Sequence, residues 1–167
     1  MSFHAFATGW FTGPGLEARC TLGRGGVVGA KLKREGDGAT PIGAWPIRCI
    51  LYRPDREPRP ETALDVRALS REDGWCDAPN DPAYNTMVRH PYPSSAEHLW
   101  RDDHVYDLIV VLGFNDDPVV SGKGSAIFWH LAREDFAPTE GCVAVARDTM
   151  LTALRVAQPG DTLAVIG

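Results

Sequence analysis

The chain has 167 residues, 44% hydrophobic and 23% charged, a size and balance that fit one folded domain with its own core. Lys and Arg number 17 against 22 Asp and Glu, for a formal net charge of −5, which argues against nucleic acid or an anionic membrane as the main partner. No run of about 18 apolar residues exists to form a membrane-spanning helix, and Gly 17 with Pro 13 point to a turn-rich, mainly β protein.

Residues 17–24 and 26–33 read as two short strands, joined as a hairpin at Gly25-Gly26. A glycine-rich turn over Arg34 to Gly43 leads into a strand over Ala44 to Tyr52. Residues 53–104 are polar, rich in proline and read as irregular, and so long a stretch inside a compact domain is usually functional or wrapped on its surface. Within it, Ser94-Ser95 is placed to cap a short helix through Leu99 or Trp100. Asp107 to Phe114 is a continuous apolar run, the mark of a central strand covered on both faces, and Ser125 to Leu131 is another. Arg147 to Ala157 puts Met150, Leu151, Leu154 and Ala157 on one face, closed by Pro159-Gly160, and predicts an amphipathic helix. Thr162 to Ile166 gives a last strand. The sum is a curved sandwich or partly closed sheet with one C-terminal helix packed on it.

The four cysteines, Cys20, Cys49, Cys76 and Cys142, form no Cys-x-x-Cys pair, so neither a zinc ribbon nor a thioredoxin-like motif is supported. Cys20 and Cys49 sit in apolar, strand-like contexts and read as small buried hydrophobes. His90, His98 and His104 are spaced by eight and then six residues, which matches no helix face or zinc pattern, so no metal is expected.

The chemistry concentrates between Phe128 and Val145. His130 closes one apolar strand, and Cys142, directly after Gly141, opens another. A thiol attacks only as its thiolate, with an ordinary pKa of about 8.5. A histidine within hydrogen-bond reach can take its proton and later return it. Gly141 would let the backbone approach a substrate, and the amides around Gly141 and Cys142 are candidates for an oxyanion hole. Spacing by itself leaves two readings open, because a cysteine and a histidine on apolar strands are usually core residues.

The segment ThrGluGlyCysValAla at 139–144, with the upstream strand ending in His130, resembles the active-site signature of the YkuD-type L,D-transpeptidase family. AspGlyAlaThrProIleGlyAlaTrpProIle at 37–47 resembles that family's Thr-Pro-x-Gly turn, and residues 148–166 resemble its closing helix, Pro/Gly turn and last strand. The likeness brackets residues 17–52 and 107–167 and leaves 53–106 as a long irregular insertion. It implies one catalytic domain over 1–167, a β-sandwich of mixed strands with one C-terminal helix. It also implies a periplasmic enzyme acting on donor and acceptor peptidoglycan stem peptides through a thioester, without a cofactor. Carried over by position, Cys142 is the nucleophile, His130 the base, the Leu131 carbonyl its orienting acceptor, and Gly141 part of the oxyanion hole.

Three positions depart from the family pattern. Glu140 stands where a histidine is usual, Ala144 where an arginine is usual, and Leu131 where a glycine is usual. The first two remove a cation and add a carboxylate beside the thiol, which points to a different donor. The pattern resembles a short proteobacterial branch making 1,3 cross-links, in which L-Ala at position one supplies the carbonyl. Thr139, Glu140, Tyr106, Asn115 and His104 are the candidate substrate contacts, the last three because they flank the ends of the 107–114 strand. Two other readings use the same residues: a muropeptide carboxypeptidase or amidase in which water replaces the acceptor amine, and a non-catalytic wall-binding module. Met1 to Trp10 shows no basic segment followed by an apolar one, so the periplasmic location rests on the implied substrate.

Overall fold

The computed structural model describes residues 1–167. In chain order the elements are β1 (Ser2–Phe6), β2 (Trp10–Gly13), β3 (Leu16–Thr21), β4 (Val27–Gly29), β5 (Thr40–Tyr52), β6 (Val66–Ala68), β7 (Asp73–Cys76), β8 (Met87–Arg89), β9 (Ala96–His98), β10 (Leu108–Leu112), β11 (Phe128–Leu131), β12 (Val143–Val145), α1 (Arg147–Val156) and β13 (Thr162–Ile166). The protein is mainly β with one helix, as its sequence indicates.

The main sheet runs β10-β11-β12-β3-β2-β1-β13-β5, and β5 pairs back onto β10. The ring is therefore closed, and closure leaves these strands without free edges. The long β5 makes it possible. Its first half pairs with β13 from Gly43 to Pro46, and its second half pairs with β10 from Ile47 to Tyr52. Strand β3 turns the opposite corner, pairing with β2 along its length and with β12 at Cys20 and Thr21.

Alternation along the strands sorts the side chains onto two faces. Leu108, Val110 and Leu112 of β10, Trp129 and Leu131 of β11, and Val143 and Val145 of β12 enter the larger core. Phe3, Phe11 and Trp129 pack ring to ring there, with centroids 5.2 to 6.2 Å apart. Helix α1 adds Met150, Ala153 and Leu154 to the same core. Fully burying each such side chain is worth roughly 1.5–3 kcal/mol, so this face supplies most of the fold's hydrophobic stabilisation.

The opposite face carries Cys49 and Leu51 of β5, Ile109 and Val111 of β10, Phe128 of β11, and Cys142. It is covered by residues 53–106, which supply Leu69, Leu99, Val105 and Tyr106, with Trp75 and Trp100 at the margin. Arg53 fastens this cover. Its guanidinium lies 3.8 Å above the Trp100 ring and donates to the Arg101 carbonyl at 2.6 Å.

Three expectations are corrected. Residues 16–33 do not form a hairpin: β3 pairs with β2 and β12, while β4 runs parallel to β5. The glycine turn was legible, but the partner of each strand lies far away in the chain. The 53–104 stretch is not irregular throughout, since β7, β8 and β9 build a three-stranded antiparallel sheet and β6 pairs with β5. Ser94-Ser95 caps no helix, and β9 follows it instead. The two hydroxyls donate to Asp81 Oδ2 and Asp77 Oδ1, each at 2.6 Å, so they staple the loop rather than a helix start. Cys20 and Cys49 are buried free thiols, matching their apolar contexts.

Candidate active site

Strands β11 and β12 lie side by side and parallel, with Trp129 opposite Val143 and His130 opposite Ala144. In that register Cys142 falls opposite Phe128. Side chains alternate along a strand, so Cys142 and His130 share one face, two positions apart along the pair. Both line the same cavity of about 370 Å³. Both are almost fully buried, at 6% exposed each.

His130 is held by its own strand. Its Nδ1 lies 2.9 Å from the Leu131 carbonyl oxygen. A carbonyl only accepts, so Nδ1 carries the proton and Nε2 is left as the basic nitrogen. The Tyr106 ring packs edge-on against the imidazole, with centroids 5.2 Å apart at 74°. Burial, outweighing the Leu131 hydrogen bond, pushes the His130 pKa down to about 4.

The Cys142 thiol donates to the Ala126 carbonyl at 3.2 Å and accepts from the Phe128 amide at 3.4 Å. Burial, followed by the nearby Glu97 carboxylate, pushes its pKa up to about 12. The pair therefore rests as neutral thiol and neutral imidazole. With the thiol so weak an acid and the imidazole so weak a base, no standing ion pair forms.

The turn that presents Cys142 is built on Thr139. The Thr139 hydroxyl donates to the Cys142 carbonyl at 2.7 Å and accepts from the Gly141 amide at 3.1 Å. Thr40 adds a longer contact, 3.5 Å, to the same carbonyl and accepts from the Gly23 amide at 2.8 Å. This is how the Thr40-Pro41 turn comes to support the backbone at Cys142. Gly141 has φ +131, and a Cβ there would lie 2.9 Å from the Ala39 carbonyl oxygen, so both conformation and space require glycine. The Gly141 amide is already engaged by Thr139, whereas the Cys142 amide has no backbone acceptor.

The other candidates divide. Tyr106 and Glu140 join Cys142 and His130 in the cavity wall. Glu140 is largely exposed and pairs with Arg24 at 2.8 Å. Thr139 also lines the wall, but its hydroxyl is spent on the turn. His104 lies outside the cavity: its exposed ring pairs with Asp107 at 2.8 Å. Asn115 lies outside too, its amide donating to the Val120 and Gly124 carbonyls as a loop clasp.

Sequence reasoning missed several charged wall residues, namely Glu97, Asp77, Arg101 and Arg133 from the 53–106 cover and the loop after β11, and Lys33 and Glu35 from the turn before β5. Periodicity gave no signal for them, because they come from separate loops and one short strand, β9. Asn85 is a further supporting residue. Its side chain accepts from Trp75 Nε1 and the Ala126 amide and donates to the Phe114 and Asn115 carbonyls, tying the cover to the loop that holds the thiol.

A family model described as YkuD, L,D-transpeptidase catalytic domain, matches residues 10–166. No curated protein and no solved structure gives a significant match.

Proposed function

Since the chain belongs to the L,D-transpeptidase catalytic-domain family, we propose that it cross-links peptidoglycan stem peptides through a thioester on Cys142. The observation that carries this reading is one cavity holding the Cys142 thiol and a His130 ring whose Nδ1–H is committed to Leu131. That geometry leaves Nε2 as the base, as acyl transfer requires.

In the proposed first step a donor carbonyl enters against Cys142. Nε2 of His130 takes the thiol proton as sulfur attacks. The Cys142 amide stabilises the developing oxyanion. The C–N bond then breaks, and the imidazolium returns its proton to the departing amine. The thioester keeps the acyl activation of the broken amide, so no nucleotide is consumed. In the second step an acceptor amine attacks the thioester, His130 takes its proton, the C–S bond breaks, and the imidazolium returns the proton to sulfur.

The donor we assign is L-Ala at position one, giving 1,3 cross-links in the periplasm. The support is the change of charge at the thiol. Ala144 is buried where the family usually carries arginine, and Glu140 puts a carboxylate at the mouth. A donor carbonyl close to the glycan does not need the cation that a free terminal carboxylate would.

The test is incubation with purified muropeptides, with mass spectrometry of the products and of the intact protein. Cross-linked dimers and a Cys142-dependent acyl adduct, both absent in Cys142→Ala, support the transferase. Shortened monomers without dimers would indicate a hydrolase instead. No turnover and no adduct would leave only the wall-binding reading.

A further inference from the structure

The cavity around Cys142 contains more carboxylates than its own cations neutralise. Glu97, Asp77 and Glu35 all line it. Each is held by hydroxyl groups rather than by a cation. Tyr106 donates to Glu97, Ser95 to Asp77 at 2.6 Å, and Tyr84 and Ser125 to Glu35. The cations of the same wall form their ion pairs with other acids, although the Arg101 charge also reaches Glu97. Lys33 pairs with Asp37 at 2.6 Å, Arg101 with Asp103 at 2.6 Å, and Arg133 with Asp103 at 3.4 Å.

Glu97 is the carboxylate most closely joined to the reacting pair. It is half-buried on β9. One of its oxygens accepts from the Tyr106 hydroxyl, and the Tyr106 ring rests on His130. Its charge also reaches Cys142, where it opposes thiolate formation.

We propose that Glu97, flanked by Asp77 and Glu35, is the specificity site for an alkylammonium group of the incoming peptide and holds it beside the Cys142 thioester. This deepens the transferase reading and rests on it. An amine arrives at neutral pH mainly as its ammonium ion. Three acids facing one partly enclosed space attract that ion, and Glu97 offers it a charge-assisted hydrogen bond. A neutral or acylated amine gains neither. The ammonium passes one proton to the Glu97 carboxylate, and the free amine attacks the thioester while His130 Nε2 takes its second proton and the C–S bond breaks. Glu97 is thus an acceptor-binding residue, and Tyr106 is a positioning residue that fixes the carboxylate relative to His130.

The test is a binding measurement that needs no turnover. In Cys142→Ala protein, calorimetry compares a stem tripeptide carrying a free side-chain amine with the same peptide N-acetylated at that amine. The free amine is expected to bind about tenfold tighter, the scale of one charge-assisted hydrogen bond. Adding Glu97→Gln, which can still accept from Tyr106, should reduce the difference to within about twofold. Asp77→Asn is a second variant and should narrow it by a smaller factor. Equal affinity for the two peptides, or a preference that survives Glu97→Gln, overturns the proposal. Intact-mass acylation of the wild type reports separately on the transferase reading, so each can fail without the other.

Discussion

Replacing Thr139 with valine removes a hydroxyl and almost nothing else. The side chain is buried, and valine fills nearly the same volume. Two hydrogen bonds are lost. The Gly141 amide is left buried without an acceptor, at a cost of about 1–3 kcal/mol. The Cys142 carbonyl loses its 2.7 Å donor but keeps the 3.5 Å contact from Thr40, so its loss is nearer the ordinary net value of about 0.5–1.5 kcal/mol. The sum is roughly 1.5–4.5 kcal/mol. For a chain of this length, 3 kcal/mol corresponds to a fall in Tm of about 6–12 °C. Thermal unfolding followed by circular dichroism measures it, with Thr139→Ser as the control that restores both bonds. Valine within about 1 °C of the wild type, or serine no better than valine, would refute the claim that Thr139 builds the nucleophile turn.

Gly141→Ala forces a Cβ to within 2.9 Å of the Ala39 carbonyl at φ +131; it should destabilise by about 2–4 kcal/mol, combining backbone strain with overpacking, and abolish intact-mass acylation of Cys142. The pH dependence of stability should have two limbs. His130 is depressed to about 4 in the fold against about 6.5 unfolded, so the unfolded chain binds more protons between these values and stability falls as pH drops through that window. Cys142 is raised to about 12 against about 8.5 unfolded, so its contribution is complete below about 8.5 and declines as pH rises toward 12; urea midpoints across pH, compared with those of Cys142→Ala and His130→Gln, separate the two. The same raised pKa predicts that iodoacetamide alkylation of Cys142 keeps accelerating past pH 9 with no plateau, and a plateau near neutral pH would contradict the neutral resting pair. Asn85→Ala loses four hydrogen bonds and places alanine at φ 56; a loss of about 3–5 kcal/mol in urea unfolding is expected, and a change below about 1 kcal/mol would show that the cover does not depend on it.

The strands that carry the chemistry were legible because their signals are local. The apolar runs over Asp107 to Phe114 and Ser125 to Leu131 became β10 and β11, and Arg147 to Ala157 became α1. The Cys142 and His130 pair was legible only through its resemblance to a known pattern, since spacing alone permits two core residues. His104 and Asn115 drew notice by their order in the chain, yet their side chains are satisfied outside the cavity.

The sequence by itself determined the β-rich character and the closing helix. Each follows from side-chain periodicity or from a local backbone demand. Tertiary structure alone decided that β5 turns between partners to close the sheet, and that residues 53–106 fold into a cover rather than a loose loop. It also decided the surroundings of Cys142 and His130. Burial under that cover holds thiol and imidazole neutral. Side chains more than thirty positions away, Glu97 and Asp77 among them, line the same cavity. Contacts between distant segments have no period to read, and desolvation is a property of the assembled cavity rather than of any residue within it.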